Sequence, residues 1–280
     1  MITEAIILAG GMGTRLREAV PGVPKAMAPV ASQPFLTYVI NTLRMQGIRR
    51  FIFSLGYQSE MIREFLQQRY PTLDYVCVTE EEPLGTGGAI RLAMEQATTS
   101  HVLVANGDTL FRVNAETLEH VHLRNNADCT IALKPMQHFD RYGVVETDPS
   151  GRILSFREKK FYKTGMINGG IYVINVKSFL QHCAPGKFSF EIDYLERFTT
   201  ELRFYGAVQD AYFIDIGIPA DYEKAGRDLE RVPLDLRQTS HWTLFLDRDG
   251  VINDERVGYY VLHWGEFIFS KGVLEVFRFL

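Results

Sequence analysis

A glycine-rich stretch near the amino terminus carries residue types that bind phosphate. The segment LAGGMGTRLR, residues 8–17, follows the apolar run Ala5–Leu8 and contains three glycines and Arg15. Because glycine has no Cβ, its backbone can approach an anion closely, and successive N–H groups can then cradle the anion's oxygens. Lys25 follows within VPKAMAPV, residues 23–30. The stretch therefore predicts a loop that holds a phosphate-bearing ligand.

Two common phosphate motifs do not match this loop. A P-loop requires G-x-x-x-x-G-K-[ST], and no Lys-Ser or Lys-Thr pair closes the loop here. A dinucleotide fingerprint requires G-x-G-x-x-G, whereas the third residue after Gly13 is Leu16. The acidic residue expected after the second strand is also missing, since that strand closes as Phe53–Gly56. These mismatches disfavour a Rossmann oxidoreductase, and a glycine turn without a ligand explains the loop, taken alone, equally well.

The apolar periodicity indicates the elements that position the loop. In the first half, runs of strand length alternate with segments of helical period, the pattern of a parallel sheet flanked by helices. The expected strands are Ala5–Ala9, Arg50–Leu55, Tyr75–Thr79 and His101–Asn106, and the expected helices are residues 34–47, 59–70 and 87–97. In the first helix, Phe35, Val39, Leu43 and Met45 are expected near one face. From Cys129 onward, shorter β-like runs and two helices, residues 189–201 and 218–230, predict mixed strands in a lid or substrate-side layer.

The composition excludes several functional classes. The chain has 280 residues, of which 46% are hydrophobic and 23% charged, typical of a soluble protein with a packed core. A net charge of −4 argues against a nucleic-acid-binding surface. No stretch of about 18 apolar residues predicts a membrane span. The three cysteines are widely spaced without a C-x-x-C pair, which is typical of a reducing compartment, so we expect a cytoplasmic protein.

Five motifs along residues 1–230 together resemble the signature of sugar-1-phosphate nucleotidyltransferases. The first is GG-x-G-T-R-L followed by P-K, and the other four, in chain order, are Glu82–Ala89, Asn106–Asp108, Phe156–Lys159 and Phe213–Gly217. These four resemble the family's base-recognition loop, first metal site, sugar-phosphate motif and second metal site. The resemblance implies an α/β fold, a Rossmann-like, glycosyltransferase-A-like mixed sheet flanked by helices, in a nucleotidyltransferase domain of residues 1–230.

The resemblance also implies the reaction and the catalytic residues. In this family a sugar 1-phosphate attacks the α-phosphorus of a nucleoside triphosphate, and pyrophosphate leaves. Catalysis then depends on positioning and on cations that stabilise phosphate charge. Arg15 would hold the triphosphate, Lys25 would lie near the α-phosphate and Lys159 would hold the sugar phosphate. Asp108 and Asp215 would bind Mg²⁺ through hard oxygen ligands.

Further residues are implied as substrate contacts. The expected nucleotide-binding residues are Leu8, Gly10, Gly11, Gly13, Thr14, Gly85, Thr86, Gly87 and Gly88, and the expected sugar-binding residues are Gly143, Glu158 and Asn168. Simpler explanations exist for several of them: Asp108 could cap a turn, Lys159 could be half of a solvated pair with Lys160, and Glu158 and Asn168 could be a surface carboxylate and a turn amide.

Three motifs narrow the substrate. EEPLGTGGA, FREK and FIDIGIPADY look most like short guanylyltransferase-type enzymes that act on D-glycero-D-manno-heptose 1-phosphate or mannose 1-phosphate. No hexapeptide repeat is present, which argues against the branch with a β-helical acetyltransferase tail. GTP is the favoured nucleotide, while dTTP and UTP stay open, as does a homo-oligomeric state. A catalytically silent scaffold is the alternative from another class, although such relatives usually lose the arginine, lysine or metal aspartate.

A second resemblance begins near the carboxyl end. Trp242–Asn253 resembles the first motif of haloacid-dehalogenase-type phosphatases, in which Asp247 would be the nucleophile and Asp249 the general acid/base. The residues that follow resemble heptose-1,7-bisphosphate phosphatases in particular. A tail of about 40 residues cannot bury a phosphatase core, so we expect residues 242–280 to be an inactive fragment of a two-enzyme fusion, joined by a linker, 231–241. Such a fusion favours heptose 1-phosphate as the acceptor, with a nucleotide-sugar for surface-glycan synthesis as the product.

Overall fold

The structure, a computed structural model, describes residues 1–11, 16, 20–230, 246–248, 250–254 and 261–279. The chain divides into two compact units, Met1–Glu230 and Arg231–Leu280. The strands are β1 (Glu4–Leu8), β2 (Pro29–Val30), β3 (Gln33–Pro34), β4 (Arg50–Leu55), β5 (Asp74–Thr79), β6 (His101–Asn106), β7 (Thr109–Phe111), β8 (Cys129–Phe139), β9 (Val145–Thr147), β10 (Ile153–Phe156), β11 (Tyr162–Asn175), β12 (Phe204–Val208) and β13 (Phe213–Asp215). The α-helices are α1 (Phe35–Met45), α2 (Ser59–Arg69), α3 (Gly85–Met94), α4 (Ala115–Arg124), α5 (Val176–His182), α6 (Pro219–Leu229) and α7 (Val273–Phe279). Two 3-10 helices span Lys25–Met27 and Trp264–Glu266, and a π-helix spans Phe190–Glu196.

The first unit is built on one mixed sheet of seven strands in the order β12-β8-β11-β6-β1-β4-β5. β6, β1, β4 and β5 are parallel neighbours, β12 is parallel to β8, and β11 is antiparallel to both of its neighbours. From β1 the chain moves to β4 and β5 on one side and then returns to β6 on the other side. Ligands of open α/β sheets bind where the strand order reverses in this way, beside the carboxyl ends of the strands. The ends of β1 and β6, Leu8 and Asn106, lie at that point.

The sheet has a hydrophobic core on each face. Ile6 and Ile7 of β1 are both fully buried, and alternation along the strand sends their side chains to opposite faces. Ile7 belongs to the core that includes Phe35 of α1, whereas Ile6 belongs to the core that includes Tyr194 of the π-helix. Strands buried on both faces read as continuous apolar runs, which is why β1, β4 and β6 are recognisable in the sequence.

The four strands expected in the first half are confirmed, with bounds shifted by one residue at most. The prediction of a lid or substrate-side layer is wrong for β8, β11 and β12, because these strands extend the main sheet instead. The physical reason is visible in β11, where Ile171–Ile174 is buried throughout and so needs cover on both faces. Met45 is 72% exposed, away from the buried face of α1, because it lies two residues, or about 200° around the helix, beyond Leu43.

The second unit is described only in part. Asn253 and Phe269 form an isolated β-bridge, and α7 begins at Val273, just after Ser270 and Lys271. Asp249 and the expected linker, residues 231–241, lie outside the described residues, whereas Asp247 is described and exposed. Throughout the described ranges, every helix is too short or too polar to traverse a bilayer.

Candidate active site

The loop after β1 lies where the sheet topology predicts a ligand site. Its backbone is fixed on both sides, because the Gly107 N–H donates to the Leu8 carbonyl at 2.8 Å and the Ala9 N–H donates to the Ser54 carbonyl at 2.8 Å. Gly10 packs closely on the chain after β4, where a Cβ at Gly56 would lie 2.8 Å from the Gly10 carbonyl oxygen. Gly11 is exposed, and no described atom lies within 4 Å of the position its Cβ would take. Gly11 is therefore available to a ligand, whereas Gly10 is needed for packing. Gly13, Thr14 and Arg15 lie outside the described residues.

Lys25 lies between the two aspartates that the sequence singles out. Its Nζ is 2.5 Å from Oδ2 of Asp108 and 3.2 Å from Oδ1 of Asp215. The Lys25 side chain is 13% exposed, and the aspartate side chains are 33% and 24% exposed. A cation between two carboxylates shows that this position suits positive charge, and its partial burial strengthens the attraction.

A short antiparallel ribbon brings the two aspartates together. β7 and β13 pair so that Thr109, the neighbour of Asp108, lies opposite Asp215. The Ile216 N–H also donates to the Asp108 carbonyl at 3.1 Å. Gly217 completes the arrangement, since its N–H donates to Asp215 Oδ1 at 2.8 Å. A Cβ at this position would lie 3.0 Å from Lys25 Nζ, so a larger residue would press on the ion pair.

The glycines at the start of α3 are divided between packing and exposure. Gly87 and Gly88 are buried, and added Cβ atoms would come closer than 3.0 Å to Phe188 and Gly186 respectively. Gly85 and Thr86 are exposed, although the Thr86 hydroxyl accepts a hydrogen bond from the Phe190 N–H at 3.0 Å. The segment 186–190 therefore fills the space beside all three glycines, since a Cβ at Gly85 would also lie 2.6 Å from the Phe188 carbonyl oxygen. Gly85 and Thr86 differ from Gly87 and Gly88 in that they are exposed to solvent.

A carboxylate joins the α3 loop to the β1 loop. Glu80 accepts a hydrogen bond from the Leu84 N–H at 2.7 Å, and its Oε1 lies 3.0 Å from where a Cβ of Gly10 would be. Burial raises the pKa of the Glu80 carboxyl, and the Leu84 N–H lowers it in part. The two loops expected to bind the nucleotide are therefore neighbours at the same edge of the sheet.

The expected sugar-side residues form a second group. Gly143 packs against the Arg157 carbonyl, immediately before Glu158, and both Glu158 and Lys159 are exposed. The Arg157 N–H donates to the Val144 carbonyl at 2.8 Å. Val144 in turn bridges to Ile167, next to Asn168. The side-chain oxygen of Asn168 accepts from the Gly170 N–H at 3.0 Å, so part of this amide stabilises the local bulge in β11.

Glu191 is a polar residue near the site that the sequence analysis missed. Its carboxyl group lies near the Lys159 ammonium and near the Tyr172 hydroxyl. Desolvation by the surrounding protein raises the pKa of the Glu191 carboxyl, and the positive charge of Lys159 opposes this shift. The only sequence signal was the run SFEID, residues 189–193, which reads as an ordinary amphipathic helix. The structure has a π-helix there, a rare form that is frequently found at functional sites.

Comparison with known proteins gives a consistent result. The profile of the nucleotidyl transferase family matches residues 4–232. A D-glycero-alpha-D-manno-heptose 1-phosphate guanylyltransferase of Aneurinibacillus thermoaerophilus is 48% identical over 227 residues, which cover 81% of this chain and 98% of that protein. The protein of the same name from Campylobacter jejuni is 40% identical, over 78% of this chain and 96% of its own length. Among solved structures, HddC from Yersinia pseudotuberculosis complexed with GMP-PN has a TM-score of 0.74 and 36% identity, covering 81% of this chain and 100% of that chain.

Proposed function

Because this chain belongs to the nucleotidyl transferase family, we propose that it transfers GMP from GTP to D-glycero-α-D-manno-heptose 1-phosphate and releases pyrophosphate. The observation that carries the proposal is the convergence of Lys25, Asp108 and Asp215 beside the β1 loop. The choice of GTP and of the heptose follows the names of the two relatives above. The product would be a GDP-heptose, a donor for surface-glycan synthesis. A cytoplasmic location remains a prediction from the cysteine usage.

The reaction needs positioning and charge stabilisation more than activation of a nucleophile. An oxygen of the sugar phosphate forms a bond to the α-phosphorus, and the bond from that phosphorus to the bridging oxygen of the β-phosphate breaks. The attacking oxygen is already anionic, so no side chain has to remove a proton from it. Lys25 and Lys159 would reduce the repulsion between the two phosphates. Arg15 would hold the departing pyrophosphate, since its planar guanidinium matches phosphate oxygens.

Asp108 and Asp215 would hold Mg²⁺. Carboxylate oxygens are the ligands that Mg²⁺ prefers, and both carboxylates already bind the same cationic group. Among the described residues, no cluster of three or more Asp, Glu, His or Cys could hold a metal, so the remaining ligands would be substrate phosphates and water. When bound, the ion would neutralise phosphate charge.

The test is pyrophosphate release by the 280-residue protein over a matrix of four nucleoside triphosphates and several sugar 1-phosphates with Mg²⁺. We expect GTP with the heptose 1-phosphate to give the highest kcat/KM. Preference for mannose 1-phosphate would reassign the acceptor, and preference for UTP or dTTP would reassign the nucleotide. Absence of turnover with every pair would refute the enzyme assignment.

Substitution of Arg15 distinguishes an enzyme from a silent scaffold. In an enzyme, Arg15→Ala removes a group that stabilises the transferring phosphates, and we expect kcat to fall about 100-fold or more, the scale for loss of one electrostatic stabiliser. A scaffold would keep its nucleotide binding, and the wild-type chain would show no turnover to lose. Calorimetric titration with GTP beside the turnover assay separates these outcomes.

For the second unit we propose the beginning of a haloacid-dehalogenase-type phosphatase fold without phosphatase activity in this chain. The proposal is supported by the FLDRDG motif at residues 245–250 and by Gly250, whose φ of 78° provides a turn at the end of the motif. Dephosphorylation of heptose 1,7-bisphosphate by the purified chain at enzymatic rates would contradict the inactivity.

A further inference from the structure

We propose that Arg141 is a positioning residue that holds the sugar-side loop, residues 140–144, in register with the strand that carries Asp215. This inference rests on the proposed nucleotidyl transfer. Arg141 belongs to none of the five motifs and has no role in the reaction described above. It would act through its neighbours rather than by touching the substrate.

Arg141 links the loop to α6. Its guanidinium forms an ion pair with the carboxylate of Asp221, which lies in the first turn of α6. The two side chains are 32% and 27% exposed, so the pair is partly shielded from water and is stronger than an open surface pair. Burial lowers the pKa of Arg141, but the Asp221 hydrogen bond, with Tyr142, Asp221 and Asp215 nearby, raises it overall. The guanidinium is therefore within electrostatic reach of the aspartate cluster.

The next residue of the loop packs on the ribbon that bears Asp215. The Arg141 guanidinium carbon is 5.5 Å from the centre of the Tyr142 ring. That ring meets Phe213 edge-to-face at 6.0 Å, and Phe213 lies two residues before Asp215 on β13. Phe213 itself packs edge-to-face on Phe111 of β7 at 5.5 Å. An aromatic series thus runs from the loop into the β7–β13 ribbon.

The far end of the loop contacts the segments that carry the other sugar-side residues. Gly143 leaves no room for a side chain against the Arg157 carbonyl, and Val144 bridges to Ile167. Glu158 and Lys159 follow Arg157 directly, and Asn168 follows Ile167. The loop therefore joins two parts of the site: the side that would hold the sugar and its phosphate, and the side that would hold the metal.

The Arg141–Asp221 pair fixes the amino-terminal end of this loop. Without it, the guanidinium no longer anchors the loop to α6. The expected consequence is a sugar-side pocket that is displaced or loose, while the β1 and α3 loops that would bind the nucleotide are unaffected. Misplacement of a bound substrate by about 1 Å can slow a reaction about 100-fold, so a small displacement of this pocket would matter.

The test is a double-mutant cycle with Arg141→Met and Asp221→Asn, in which KM is measured separately for sugar 1-phosphate and for GTP. We expect each single variant to raise the KM for sugar 1-phosphate about tenfold and to leave the KM for GTP within about twofold. The double variant should be no worse than either single variant, because both lose the same contact. Lys224→Met is the matched control, since it removes the Lys224–Asp228 pair of the same helix, and it should leave both KM values unchanged.

Three kinetic results would overturn the inference. One is an unchanged KM for sugar 1-phosphate in Asp221→Asn, which would show that Arg141 does not act through this pair. Another is single-variant effects that multiply in the double variant, which would indicate that Arg141 binds substrate directly. The third is an equal rise of both KM values, which would indicate general loss of structure.

Hydrogen exchange tests this inference independently of the proposed function, because the measurement does not require turnover. We expect amides of residues 140–145 to exchange faster in Arg141→Met and Asp221→Asn than in the wild type or in Lys224→Met. Unchanged exchange in these residues would overturn the positioning role even if the enzyme is active. Faster exchange with no turnover in the wild type would refute the proposed function alone.

Discussion

At the scale of single residues, the proposed reaction would give Lys25 two tasks that it cannot perform at once. In the structure its ammonium pairs with Asp108 and Asp215, at 2.5 and 3.2 Å. During the proposed reaction the same ammonium would face the α-phosphate, while the carboxylates hold Mg²⁺. On this proposal Lys25 would have to leave the aspartates when the metal and the nucleotide bind. We therefore expect Lys25 to weaken metal binding in the absence of nucleotide.

Lys25→Met should raise the affinity of the ligand-free protein for Mn²⁺ about tenfold, because a competing positive charge is removed from between two carboxylates. The signal of free Mn²⁺ in electron paramagnetic resonance measures this binding without any turnover. Lys25→Met/Asp108→Asn is the matched control and should bind no better than the wild type. Equal Mn²⁺ affinity in the wild type and Lys25→Met would contradict the competition.

The sequence singled out Lys25, Asp108 and Asp215 because their motifs resemble those of sugar-1-phosphate nucleotidyltransferases. It could not predict that these three side chains touch, since that depends on the register of β7 and β13. The role of Gly217 against Lys25 depends on the same register. Arg141 gave no signal, because an arginine in a polar loop is common and its partner Asp221 lies 80 positions away.

At the scale of elements, the contact between α3 and the segment 186–190 sets how tightly the α3 loop is held. The Gly87 N–H donates to the Phe188 carbonyl at 3.0 Å, and the Phe188 N–H donates to the Leu84 carbonyl at 3.0 Å. The Phe188 ring covers Gly87 where a Cβ would lie. Glycines in this motif therefore serve close packing as well as any contact with nucleotide.

Gly87→Ala should lower the free energy of unfolding by about 1–3 kcal/mol, because the new methyl group overlaps the Phe188 ring. Urea unfolding followed by circular dichroism measures the change. The matched control is Gly226→Ala in α6, where no described atom lies within 4 Å of the new methyl, and where we expect a gain of about 0.4–1 kcal/mol. Adding Phe188→Leu to Gly87→Ala should restore part of the loss. A loss as large in Gly226→Ala, where no described atom is overlapped, would contradict overlap as the cause, since helix propensity favours alanine over glycine.

The strands of the parallel half were predictable because burial on both faces leaves an apolar run at the right length. The position of β11 in the sheet was not predictable, because an apolar run does not indicate which strands it pairs with. The pairings by which β8, β11 and β12 extend the sheet are not encoded in the local sequence pattern. The π-helix at Phe190–Glu196 also has no sequence signature that distinguishes it from an α-helix.

At the scale of the whole molecule, the candidate site belongs to the first unit alone. Every described residue assigned to the nucleotide, the sugar or the metal lies within Met1–Glu230. The nucleotidyl transferase profile matches residues 4–232, and the Aneurinibacillus relative aligns over 98% of its own length with 227 residues of this chain. Among the described residues of the second unit, several large apolar side chains are exposed, with Leu262 and Trp264 each at 78%.

A chain that ends at Glu230 should therefore keep the proposed GMP transfer, with kcat/KM within about twofold of the full chain, because the residues assigned to the chemistry all belong to the first unit. It should also self-associate less at high concentration, since large exposed apolar surfaces promote association. Pyrophosphate release and light scattering measure the two effects. Loss of turnover in a shortened chain that still unfolds cooperatively would show that the second unit contributes to the site.

The pairing of β7 with β13 also has a consequence for biosynthesis. Lys25 and Asp215 are 190 positions apart, and Asp215 lies near the end of the first unit. A ribosome that has released residues up to about 200 has made the β1 loop, the α3 loop and most of the sheet, but the second aspartate has not yet emerged. Domains generally fold as units during synthesis. A product that ends before Asp215 would lack one of the two carboxylates and the strand β13 that pairs with β7, so we expect the proposed metal site to form only when the first unit is nearly complete.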